Sequence, residues 1–363
     1  MSRAAAAASP PAKGSTFSAG GRAPGIDRFR ILAALMVVAI HTGPLSSFSP
    51  TADFLVTYCL GRVGVPFFFM VTGYFVLGPL FSGAPKQSEE TGAPFFSVRR
   101  HLKKMALIYG LSSLLYLPVA FYAGHTEDWR TLFALLRVIL FDGCFYHLWY
   151  LPASILGTIL LLCARRFKPG VLLALTFTLY LIGLGGDSYY GLIAGIPAAE
   201  AFYQFLFSVS SYTRNGVFFA PLFLAMGALL AGRKPPKCSG LPLLLSLCLL
   251  TAEGLITYRL QLQRHNSMYL FLVPTMYFLF SWLLTLQGKS HPKLPSLALW
   301  IYLIHPFCIL VVRQLAKMCR LTWLLVEFSP VYFLAVALVS VLAALIACAA
   351  ASLAKRKSGS ARR

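Results

Sequence analysis

Long apolar runs separated by short polar connectors make up most of this chain, and within the runs the apolar residues are continuous. Stretches such as LPLLLSLCLL and VYFLAVALVSVLAALIACAAASLA lack the every-second-residue alternation of a membrane β-barrel. A helix crosses about 30 Å of hydrocarbon with about 20 apolar residues. On that measure the pattern predicts ten spans, at roughly 29–48, 61–81, 105–123, 144–163, 169–185, 214–232, 241–258, 267–287, 297–312 and 330–354. The expected fold is an all-α polytopic membrane protein, a bundle of about ten transmembrane helices.

Composition agrees: 58% of residues are hydrophobic and 12% charged, with a mean hydropathy of +0.72. The net charge of +21 invites a nucleic-acid reading, but the placement of the basic residues argues otherwise. With the N-terminus inside, 23 of the 32 Lys and Arg fall in cytoplasmic segments, as the positive-inside rule requires. An even number of spans returns KRKSGSARR to the cytoplasm as well. These basic loops are expected to set topology and touch anionic membrane lipid, with no nucleic-acid partner.

Residues 1–25, rich in Ala, Gly, Ser and Pro, read as a disordered cytoplasmic tail and not as a cleaved signal peptide. Residues 26–354 form one membrane domain, and 355–363 a basic cytoplasmic tail. The polar stretch SGAPKQSEETGAPFF joins the second and third spans. An aromatic-rich outside segment, Asp187 to Tyr212, is expected to lie on the membrane surface or cap the bundle. WRTLFALLRVILF, with Arg130 and Arg137 seven apart, is a second interfacial candidate. The eight cysteines include no C-x-x-C pair. Those inside spans (Cys163, Cys248, Cys308, Cys348) read as small apolar residues, and no metal-ligand spacing is present.

Polar side chains inside apolar runs are where chemistry is sought, because they are costly to place there. Arg30 and His41 bracket ILAALMVVAI. Eleven helical residues turn through about 1100°, so both share one face, about 16 Å apart along the axis. They are too far apart to touch, but one elongated ligand reaches both. His41 is a candidate general base, since imidazole titrates nearest neutrality. Taken alone it also reads as a structural histidine, and Arg30 alone as a positive-inside anchor. Arg62, in GRVGVPFFFMVTGYF, needs a cavity or a carboxylate, and Gly64 and Pro66 suggest a broken entrance to that span. Glu253 must be protonated or paired, with Arg62 or Arg214 as the expected partner. His147, in FDGCFYHLWYLPAS, reads first as part of an interfacial aromatic cluster. His305 precedes Pro306, which frees a backbone carbonyl and is expected to kink its helix, so it reads as kink support or as a pathway residue. Walker, Rossmann and G-x-S-x-G patterns are absent.

GIDRFRILAALMVVAIH resembles the opening of the acyltransferase type 3 membrane family, marked by an arginine, ten residues and a histidine. GVPFFFMVTGYF resembles that family's second span, and YHLWYL and IYLIHP two later stretches. The wording of GIDRFR, YHLWYLPAS, GDSYYG and YTRNG also resembles the membrane half of the serine/alanine racemases of vancomycin resistance. In those proteins a pyridoxal-phosphate racemase domain follows. The present sequence ends at Arg363 before any counterpart of it, so racemisation is not expected here, nor any bound cofactor.

The resemblance implies an enzyme of the cytoplasmic membrane. It would move an acyl group, acetyl in the first instance, from cytoplasmic acyl-CoA to a hydroxyl of a cell-envelope saccharide or wall precursor. Arg30 would meet CoA phosphates or the thioester carbonyl. His41 would take the acceptor's proton, and Arg62 or Tyr74 would hold the oxyanion. His147, Arg214, Glu253 and His305 complete the expected substrate or acyl-CoA site. The alternative is a serine-uptake module supplying a separate serine racemase, with Arg62 and Arg214 on the carboxylate and Glu253 on the ammonium. A catalytically silent membrane scaffold is a third reading.

Overall fold

The computed structural model describes residues 23–81 and 93–360, apart from 125, 127, 128, 130 and 237. Arg130 and most of the N-terminal tail lie outside the described residues. Among those described there are helices and no strand. Each of the ten expected spans contains a helix.

Helix α1, Pro24–Thr42, starts earlier than the apolar run because Pro24 sits in its first turn, with Asp27 following. It stops at Gly43, whose left-handed φ of 59° lets its N–H cap the Ala39 carbonyl, and Pro44 follows. Helix α2, Pro50–Phe81, opens on a Ser49 cap that accepts the Ala52 N–H at 3.2 Å. It is one continuous but irregular helix, not the broken entrance expected at Gly64 and Pro66. Wide turns cover 55–60 and 73–77, and a tight turn covers Gly61–Val63. Pro66 cannot donate to the Arg62 carbonyl, so the turn carrying Arg62 departs from regular α geometry.

The remaining helices are α3 (Ala93–Tyr122), α4 (Leu132–Arg137), α5 (Tyr150–Cys163), α6 (Pro169–Gly185), α7 (Pro197–Val209) and α8 (Ala220–Leu230). After them come α9 (Gly240–Arg259), α10 (Leu272–Thr285), α11 (Leu294–Met318) and α12 (Ser329–Ser360). Among the described residues five helices, α2, α3, α9, α11 and α12, are long and apolar enough to cross a membrane. With the shorter apolar helices α5, α6, α8 and α10, they make this a helical, multi-pass membrane protein.

Helix α8 is the axis of one half, with all eleven residues buried. It is apolar all round, as a helix enclosed by others must be. Helices α2, α5 and α6 pack on it. Its crossing with α2 depends on two glycines. A Cβ on Gly73 would overlap the Leu224 carbonyl, and one on Gly227 the Met70 carbonyl. Small residues let the two backbones meet. Helix α1 is the axis of the other half, against α2, α10, α11 and α12.

Several helices start later than their apolar runs because polar turns precede them. Gly143, at φ +76°, begins the turn that carries His147. Asn215 builds the turn that presents Arg214: its Oδ1 accepts Val217 and Phe218 N–H, and its Nδ2 donates to Ser210 Oγ and Tyr212 O. Asp187 gathers a third turn, accepting Ser267 and Met268 N–H at 2.7 and 2.9 Å. In the expected surface segment, α7 buries Tyr203, which donates to the Ile182 carbonyl at 2.7 Å, and leaves Phe202 and Phe205 exposed. Of the cysteines expected inside spans, Cys308 and Cys348 are buried, whereas Cys163 and Cys248 face outward.

Candidate functional site

Arg30 lies on α1 and opens into a cavity of about 210 Å³. Its Nε stands 3.3 Å from Asp27 Oδ1, one helical turn back, and Asp27 Oδ2 accepts the Ser290 hydroxyl at 2.7 Å. The cavity wall adds His101 and Lys104 from α3, Thr72 from α2, and apolar side chains of α2, α3 and α11. A basic mouth with an apolar wall suits a phosphate-bearing ligand with a long uncharged arm. His101 and Lys104 were legible only as part of a basic flank, SVRRHLKK.

His41, near the other end of α1, opens into a separate cavity of about 140 Å³. Arg62, His147, Arg214 and His265 share its wall with Tyr58 and Trp149. His41 stacks on His305, with ring centroids 5.3 Å apart and planes 23° from parallel, and Tyr146 lies 4.7 Å away on centroids. His147 meets His305 edge to face at 5.3 Å. The three histidines therefore gather at one place, and His147, 2% exposed, lies inside the protein within a cluster of Tyr116, Phe145, Tyr146 and Tyr302.

Pro306 explains how His305 is fixed. Lacking an N–H, it leaves the Tyr302 carbonyl free, and His305 Nδ1 bonds that carbonyl at 2.8 Å. The ring then carries its proton on Nδ1 and a lone pair on Nε2, which has no hydrogen-bond partner among the described residues. Among those residues no His, Cys, Asp or Glu group could hold a metal ion.

Two tyrosines line both cavities, Tyr150 at the start of α5 and Tyr302 on α11. Their rings meet edge to face at 5.6 Å, and the Tyr302 hydroxyl donates to the His147 carbonyl at 2.5 Å. The expected elongated site reaching both Arg30 and His41 is thus two cavities back to back, divided by a pair of phenol rings.

Two expected site residues stand elsewhere. Tyr74 lines neither cavity; it packs in the core against Phe75 and Phe280, leaving Arg62 as the expected oxyanion donor that reaches the His41 cavity. Glu253 does not pair with Arg62 or Arg214. It accepts Leu270 and Phe271 N–H at 2.6 and 2.8 Å and the Tyr189 hydroxyl at 2.7 Å, capping the start of α10. In the other direction, His265, Tyr58 and Trp149 line the His41 cavity and carried no distinguishing sequence signal. His265 Nδ1 accepts the Asn266 N–H at 2.9 Å, so the neutral ring bears its proton on Nε2. Burial first, then Arg214, Arg62 and Arg264, push its pKa down to about 2.

Residues 24–349 match the family described as an acyltransferase domain, and the chain belongs to this acyltransferase 3 family. Among curated proteins it is similar to two amino-acid racemases of Enterococcus faecalis. One is 42% identical over 302 residues, covering 82% of this chain and 42% of that protein. The other is 38% identical over 341 residues, covering 92% and 46%. A serine/alanine racemase of Enterococcus gallinarum is 41% identical over 292 residues, covering 78% and 40%. The chain thus spans less than half the length of these relatives. No solved structure matches it.

Proposed function

We propose that this protein is an integral acyltransferase of the cytoplasmic membrane. It would move an acyl group, acetyl in the first instance, from cytoplasmic acyl-CoA to a hydroxyl of a cell-envelope saccharide or wall precursor. One observation carries the reading: a basic cavity at Arg30 and a histidine cavity at His41 abut at Tyr150 and Tyr302. In this scheme Arg30, Lys104 and His101 hold the phosphates of acyl-CoA, and the thioester end of its arm passes between the two tyrosines. His41 takes the proton from the acceptor hydroxyl as its oxygen attacks the thioester carbon. The C–S bond breaks, the new ester forms, and the proton returns from His41 to the CoA thiolate. Arg62 offers N–H donors to the oxyanion formed on the way.

The test is purified full-length protein with labelled acetyl-CoA and cell-envelope fractions, wild type against His41→Ala. Label moves to an envelope hydroxyl with the wild type and not with the variant; equal transfer by both overturns the mechanism. The relatives are named racemases, and a second reading built on that likeness is serine uptake for a separate racemase. It requires labelled L-serine to enter sealed vesicles without acyl-CoA. Glu253, the expected ammonium partner in that reading, is committed to capping α10.

A further inference from the structure

The His41 cavity holds two arginines, one more cation than the transient oxyanion of acyl transfer to a neutral hydroxyl requires. Arg62 is only 9% exposed, and its Nε has no hydrogen-bond partner. Its guanidinium carbon lies 4.8 Å from the Tyr58 ring. Arg214 is held between the rings of Trp149 and Tyr212, at 4.9 and 4.7 Å, and its Nε is also unpartnered. Neither arginine makes an ion pair among the described residues, and both open into the same cavity. Other arginines have a carboxylate, carbonyl or hydroxyl partner: Arg30 pairs with Asp27 and Arg137 with Asp142, while Arg28 donates to the Gln287 carbonyl, Arg264 to the Ser211 carbonyl and Arg313 to the Tyr332 hydroxyl.

No Asp or Glu lines the cavity, whose remaining titratable side chains are His41, His147, His265 and tyrosines. Two carboxylates lie behind the cavity wall. Asp187 accepts Ser267 and Met268 N–H and the Ser188 hydroxyl on Oδ1 alone, and its charge acts on both arginines without forming an ion pair with either; Asp142 takes Arg137 and Ser211. Glu253 caps α10. Two guanidiniums drawn together out of water, with aromatic faces and only Asp187 behind the wall to offset them, leave a positive charge that is costly unless a ligand balances it.

We propose that this cavity binds an oxyanion, carboxylate or phosphate, carried by the acceptor itself, so that the reacting hydroxyl belongs to an anionic molecule. Arg62 and Arg214 hold the anion, and His41 meets the hydroxyl. A volume of about 140 Å³ accommodates either a small hydroxy acid or the hydroxyl-and-anion end of a larger molecule. A zwitterion such as serine fits less well, since nothing acidic lines the cavity to meet its ammonium. Naming the ligand an acceptor rests on the acyl-transfer reading, but the binding itself does not.

The experiment is calorimetric titration of the detergent-solubilised full chain, without acyl-CoA, using D-glycerate, glycerol 3-phosphate, glycerol and L-serine. At least one anion binds about tenfold or more tightly than glycerol, as a charged hydrogen-bonded pair supplies. The tighter anion tells carboxylate from phosphate. Arg62→Gln and Arg214→Gln each lose about tenfold, whereas Arg62→Lys retains part of the affinity. Glycerol binding as well as both anions, or neither anion binding, overturns the proposal without reference to any variant. L-serine binding more tightly than D-glycerate overturns it too, in favour of the uptake reading. Anion binding with no labelled acyl transfer would leave this proposal standing and remove the acyltransferase one.

Discussion

Arg30 and Arg62 sit on neighbouring helices, α1 and α2, and each faces a cavity, yet the two cavities treat their cations in opposite ways. At the Arg30 end, Asp27 stands 3.3 Å from the guanidinium and is itself held by Ser290, so that arginine is paired before any ligand arrives and Lys104 supplies the cavity's remaining positive charge. At the His41 end, Arg62 and Arg214 stand against aromatic rings and make no ion pair among the described residues. A balanced arginine can take up and release a large polyanion such as CoA with modest affinity. An unbalanced pair holds a small anion firmly. The contrast separates a cavity suited to a donor that must leave from one suited to an acceptor that must be positioned.

Substitutions on either side of Tyr150 and Tyr302 can break or sharpen that contrast. The largest expected effect is that of His41→Ala, which lowers the transfer rate by about 10² to 10⁴ while leaving acyl-CoA affinity as it was. Measured with a non-hydrolysable CoA analogue, a parallel loss of affinity would show that the cavities are not independent. Arg30→Gln does the reverse, weakening acyl-CoA about tenfold with a smaller change in kcat, and Arg30→Lys restores it only in part. Glu253→Gln costs about 1–3 kcal/mol of stability, because an amide cannot accept from Leu270, Phe271 and Tyr189 as a carboxylate does. Transfer at a temperature where the variant stays folded is unchanged, and thermal unfolding with and without substrate checks both statements. Tyr302→Phe removes the hydroxyl bonded to the His147 carbonyl and costs about 1 kcal/mol, read from the same unfolding curves.

How much of this was legible in the sequence depends on the range of the interaction. Apolar runs mark a helix in each of the ten expected spans, because burial in hydrocarbon is written residue by residue, whereas α4 and α7 lie outside those runs. Arg30 and His41 stand out because period and spacing put them on one face of one helix. His305 and Pro306 are adjacent, so their carbonyl bond is foreshadowed in the chain. The gathering of His41, His147 and His305 is not, since it joins three separate helices or turns through packing that no local pattern encodes. Glu253 misled for the same reason. A carboxyl in an apolar run announces that it needs a partner, but here the partners are backbone N–H groups at the start of the next helix, and every sequence has those. Lys104 and His101 were hidden within a basic flank whose positive-inside role already accounted for them.

The two phenol rings between the cavities have an electrical consequence. In a bilayer, wet cavities entering from opposite faces would concentrate the membrane potential across the thin layer that Tyr150 and Tyr302 form. An ion crossing that layer would do nearly the full electrical work of traversing the membrane. A neutral acyl group would do none, so such a barrier would oppose ion leak while letting an uncharged fragment through and holding back a polyanionic carrier.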